Sequence, residues 1–171
     1  MKIFNRLHIL AMGLPKSMVE RRLESKGEFL DDGTVCHICK VILWYGLDES
    51  WYNTIARDMR YFATMKVKTF NGKIPEKWYK EKLFGLRCED KEDLKNTLYG
   101  VKAEFEGERG SNGREYPKAR NFNIDKVWTN FQKFRDNLIE ISCSSTPENI
   151  LTTLSKEVVK NLCEKYFKEV I

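Results

Sequence analysis

The sequence predicts a mainly-α protein: a single-domain helical bundle of about six or seven helices spanning residues 1–171, with a C-terminal antiparallel helix hairpin and at most one short β-hairpin. Three observations predict it. Apolar residues recur at helical spacing in nearly every segment. Period-two alternation is confined to Met65–Phe70. The 171 residues are 42% hydrophobic and 32% charged, which suits one soluble core and excludes a disordered, fibrous or membrane-embedded chain.

The elements follow in order. Pro15 suits a first helical turn, Glu20-Arg21-Arg22-Leu23-Glu24 continues the helix, and Gly27 ends it. Asp31-Asp32-Gly33-Thr34 offers caps for a helix over Val35–Tyr45 that is apolar nearly all round and therefore central. Only His37 and Lys40 interrupt it. Asp48 caps the next helix and Leu47 can staple onto Tyr52. Its predicted buried face is Trp51, Ile55, Met59 and Phe62. Asn71-Gly72 marks a short hairpin between Met65–Phe70 and Lys73-Ile74, and Pro75 opens a helix through Trp78 to Phe84.

Asp90 caps a helix with Leu94, Leu98, Val101 and Phe105 on one stripe. The stretch 107–122, with Gly107, Gly110, Gly113 and Pro117, reads as a mobile basic loop. Ile124, Val127, Phe131, Phe134, Leu138 and Ile141 form an unbroken apolar stripe. Thr146-Pro147-Glu148 then opens a last helix with Leu151, Leu154, Val158, Leu162 and Tyr166 inward. The short Ser142–Ser145 link sets these two helices antiparallel.

Five cysteines, an odd number without regular spacing, do not suggest a disulfide framework. Lys2 and Arg6 followed by Leu7–Leu14 resemble the start of a secretory leader. His8 interrupts the apolar run, however, and no small-x-small cleavage site follows. No stretch reaches the length of a membrane span. A cytoplasmic protein with reduced thiols and no membrane attachment is expected.

The net charge is +5, and it is unevenly placed. Residues 51–88 carry nine basic and three acidic groups, and residues 109–135 carry seven and two. Between them, residues 89–108 carry three basic and seven acidic groups. If the two basic blocks share a face, their field favours a polyanion.

Cys36-His37-Ile38-Cys39 has the spacing of a dithiol at a helix start, which can lower a thiol pKa. It lacks the preceding strand of a redox fold and the second ligand pair of a zinc site, so two core cysteines are expected, with no metal. His37 and Lys40, at i and i+3, are the candidate lining of a polar pocket. With His8 and His37 as the sole histidines, catalytic triads have almost no material. The glycines of 107–113 lack the Gly-Lys-Ser/Thr and the preceding strand of a phosphate loop. No cofactor is expected.

The strongest constellation is Arg109, Arg114, Lys118 and Arg120 among glycines, with Tyr116 as a stacking platform. Arg57, Lys66 and Lys68 can extend it. The expected function is a non-enzymatic binding protein that contacts nucleic acid or a nucleoprotein complex through these segments. The alternative is a regulator or inhibitor acting on a partner protein through the same loop. An enzyme with a His37/Lys40 pocket is the third reading.

Overall fold

The structure is a computed structural model that describes residues 34–69 and 90–171. It is mainly helical, with no strand among the described residues. A helical segment over 34–43 is followed by α1 (Ser50–Thr69), α2 (Lys91–Phe105), α3 (Ile124–Ser144), the single turn α4 (Ile150–Thr153) and α5 (Lys156–Phe167). The helices expected from Pro15 and Pro75, and the Asn71-Gly72 turn, lie outside the described residues.

The 34–43 segment sits at the centre, as an all-round apolar helix must. Ile38, Cys39, Val41, Ile42 and Leu43 are fully buried. Helix α1 packs on α3, α4 and α5, while α2 packs on α3. Phe131 and Phe134 from α3 and Phe167 from α5 are the largest fully buried side chains, and the rings of Phe134 and Phe167 lie 5.0 Å apart. Helices α3 and α5 are tied side to side. Asn130 Nδ2 donates to the Tyr166 carbonyl at 2.9 Å, and Lys126 Nζ donates to the carbonyl of Ile171, beyond the end of α5, at 3.2 Å.

The helix starts carry the caps that their sequences offer. Asp90 accepts from the Asp93 N–H, Asn123 from the N–H groups of Asp125 and Lys126, and Ser155 from the Val158 N–H. Two expectations are corrected. Met65–Thr69 continues α1 as helix and does not form the first strand of a hairpin. Once a helix is nucleated, adding a residue is easier than starting a strand pair, and six alternating residues do not outweigh that. The last helix is also broken in two at Leu154-Ser155, where Ser155 caps a new start. The restart moves the inward stripe by one position. Val159 and Cys163 are fully buried, whereas Leu151, expected inside, is 44% exposed.

Candidate functional site

The segment after α2 divides into a hairpin and a strap. Gly107, at φ 84°, turns the chain out of α2 in the left-handed region that glycine adopts at no steric cost. Residues 107–116 then fold back on themselves. The Gly107 N–H donates to the Tyr116 carbonyl, the Tyr116 N–H to the Glu108 carbonyl and the Gly110 N–H to the Arg114 carbonyl, each at 2.8 Å. The tip is tied to the turn before α1. Asn112 Nδ2 donates to Asp48 Oδ2 at 2.8 Å, and Arg114 Nη1 donates to the Leu47 carbonyl at 2.8 Å. The expected mobile loop is thus a hydrogen-bonded hairpin pinned to its neighbours.

Residues 117–123 form the strap. The Trp44 indole N–H donates to the Pro117 carbonyl at 2.7 Å, and the Asn123 N–H donates to the Val170 carbonyl at 2.7 Å. Arg120 lies between these ties. Its backbone N–H donates to the Leu43 carbonyl at 3.0 Å. Its guanidinium donates to three further carbonyls: Nε to Ile42 at 2.9 Å, Nη1 to Lys168 at 2.8 Å and Nη2 to Phe167 at 2.7 Å. These are the carbonyls that helix ends leave unpaired, and a cation there also opposes the negative end of each helix dipole. Burial lowers the Arg120 pKa from its ordinary value. The structure engages Arg120 as a strut between two helix ends and not as an open phosphate contact.

Tyr116 is also corrected. Read from sequence as an exposed platform, it is 6% exposed. Its ring packs against Trp44 edge-on at 4.9 Å, stacks on Trp51 at 5.9 Å and meets Phe105 at 5.4 Å. The hairpin turns Tyr116 inward because the residue closes it through both backbone hydrogen bonds.

Between this aromatic cluster and the hairpin lies a cleft of about 340 Å³. It brings together three residues that the sequence offered in separate constellations: His37 and Lys40 from the central segment and Arg109 from the hairpin. Lys40 is 9% exposed, with its ammonium 3.9 Å from the Phe105 ring centroid and 5.6 Å from that of Tyr116. Among the described residues the ammonium makes no hydrogen bond or ion pair. Its cation is held by ring faces, and its N–H donors are unspent.

The cleft's carboxylate, Asp48, is committed: Oδ1 accepts from the Ser50 N–H and Oδ2 from Asn112. The Thr54 hydroxyl, also in the lining, donates to the Ser50 carbonyl at 3.1 Å. Such a cleft, with two cations to one carboxylate, can hold an anion. Cys36 beside Lys40 is not an activated thiol: burial pushes its pKa up, Lys40 opposes this and Glu104 adds to it. Among the described residues no group of three His, Cys, Asp or Glu side chains can hold a metal ion.

The remaining sequence candidates are dispersed. Arg109, Arg114 and Lys118 are exposed on the hairpin and strap, none in a salt bridge among the described residues. Arg57 lies on α1 with its guanidinium 3.6 Å from the buried Asp58 carboxylate, and it does not line the cleft. Lys66 and Lys68 belong to α1, and their side chains lie outside the described ones. Sequence reasoning missed the part played by Trp51, Phe105 and Asp48, which it spent on core stripes and a cap. Their convergence depends on the Asn112–Asp48 contact, 64 residues apart in the chain, and no local pattern announces it. No described helix is long and apolar enough to cross a membrane. No family model, curated protein or solved structure matches this chain, so its own residues carry the functional argument.

Proposed function

We propose that this protein is a non-enzymatic binding protein that contacts a polyanion, nucleic acid or a nucleoprotein complex, through the 107–116 hairpin and the start of the strap. One observation carries the reading. A hairpin fixed at its tip displays Arg109 and Arg114, and the start of the strap Lys118, to solvent without acidic partners among the described residues, beside a cleft that holds a further unpaired cation, Lys40. Pre-fixed cations pay little ordering entropy on binding and meet phosphates with charge-assisted hydrogen bonds. Arg120 contributes by holding the strap that follows the hairpin.

The test is a salt titration of oligonucleotide affinity with the triple variant Arg109→Gln, Arg114→Gln, Lys118→Gln. On duplex DNA each lost phosphate contact flattens the log–log salt slope by close to one unit. A triple variant with unchanged affinity and slope would remove the hairpin as the contact surface. A protein partner is the second reading. Tyr99, 51% exposed and 5.7 Å from the Phe122 ring, favours it as an aromatic anchor. Binding to that partner would weaken with Tyr99→Ala and depend little on salt.

A further inference from the structure

The cleft asks for a particular kind of phosphate. A phosphodiester within a strand has a sugar on each side and can meet cations that stand clear of the surface, as Arg109, Arg114 and Lys118 do. It cannot follow Lys40, whose side chain is 9% exposed and lies against the Phe105 ring. A group that reaches Lys40 must protrude, and on a nucleic acid the protruding phosphate is the one at a strand end. That end group is a monoester carrying a charge of about −1.5 to −2 at neutral pH, whereas a diester carries a single charge.

We propose that the cleft is an end-binding site, which takes the terminal nucleotide of a nucleic-acid strand by its phosphate monoester. Lys40 at the floor and Arg109 at the rim supply two cations for the two charges. The ammonium acts as a point charge with its donors free, and the guanidinium adds directional hydrogen bonds. Arg109 Nη1 leans on the Gly113 carbonyl at 3.2 Å, which leaves its other N–H groups for a ligand. Asp48 opposes the anion, but the two cations of the lining outnumber its one carboxylate, whose oxygens accept from the Ser50 N–H and Asn112. Trp51, Phe105 and Tyr116 make the apolar wall that a sugar or base can cover, and about 340 Å³ is room for one such unit. The proposal rests on the polyanion reading above and adds where a strand must end.

Three single-stranded oligonucleotides of one sequence test it by calorimetry, carrying a 5′-phosphate, a 3′-phosphate or hydroxyls at both ends. One phosphorylated form is expected to bind about tenfold or more tighter than the hydroxyl form, the scale of charge-assisted hydrogen bonds to a buried cation. Lys40→Met should erase that advantage while the salt-dependent binding through the hairpin persists. A melting temperature of Lys40→Met no lower than the parent's shows that the fold is intact. Equal affinity for all three forms, with salt-dependent binding retained, would overturn the end site and leave the polyanion reading standing. No binding of any form at low salt would overturn both. A phosphoserine peptide bound tighter than every oligonucleotide, through Lys40, would assign the cleft to a phosphoprotein and overturn the end site as well.

Discussion

Arg120 Nη2 donates a 2.7 Å hydrogen bond to the carbonyl oxygen of Phe167, joining the strap after the hairpin to the end of the last helix. The same guanidinium reaches the Ile42 carbonyl, so one side chain closes the ends of two helices. Arg120→Ala would leave three carbonyls to find water at a partly buried site. The expected cost is about 2–4 kcal/mol, since hydrogen bonds from a charged donor are each worth about 1.5–3 kcal/mol and are not additive. Denaturant unfolding measures it. Lys118→Ala, at an exposed position with no hydrogen bond to another element among the described residues, should stay within about 0.5 kcal/mol of the parent. A cost for Arg120→Ala as small as that of Lys118→Ala would make Arg120 an ordinary surface side chain.

Phe131→Ala should destabilise the protein by about 3–5 kcal/mol, the range for deleting a core aromatic ring. Phe131 is fully buried, and its ring stacks on Trp128 at 6.0 Å. A midpoint shift in urea equivalent to less than about 1 kcal/mol would contradict that burial.

The α3 stripe was legible in the sequence because its 3-4 spacing is unbroken for five turns, and a helix of that length has one possible inward face. The last helix was less legible for a definite reason. Leu151, Leu154, Val158 and Leu162 keep helical spacing, but Ser155 can cap a new helix, and spacing alone does not say whether a chain restarts. For the site, the odd residues were visible and their meeting was not. Lys40 stands out in an apolar segment and Arg109 in a glycine-rich one. That both line one cleft follows from Asn112 and Arg114 docking on Asp48 and Leu47. Arg120 and Tyr116 were misread together, since a loop rich in Gly and Arg reads as open surface until its backbone partners are known.

Glu49 predicts a pH dependence. Lys160 Nζ lies 2.6 Å and Lys156 Nζ 3.1 Å from its carboxylate oxygens, tying the turn before α1 to α5. Hydrogen bonds from these two ammonium groups hold the Glu49 carboxyl below the ordinary glutamate range. A lowered folded-state pKa gives stability that is present above the ordinary value and lost as pH falls through the lowered one. Glu49→Gln should therefore melt below the parent at neutral pH, with the gap closing as pH falls into the acid range. The pair is exposed, so the gap should be small and shrink in high salt. A gap that persists unchanged at low pH would show that charge is not its cause.

Lys40→Met is the substitution that separates stability from binding. In the parent an ammonium group is held in a nearly buried position by the faces of Phe105 and Tyr116, without an ion-pair partner among the described residues. The ring contacts are worth about 0.5–2 kcal/mol, and the desolvation they offset is of similar or larger size. Methionine has nearly the same length, fills the same space against the rings and brings no charge to desolvate. The variant should be as stable as the parent or more so, by up to about 1 kcal/mol, as expected where a side chain serves binding at a cost to the fold. It should at the same time lose its preference for phosphorylated strand ends. Thermal melting in the absence of any anionic ligand decides the first half. A fall in stability of more than about 1 kcal/mol would make Lys40 a structural residue, whose cation is needed by the aromatic cluster and not by a ligand.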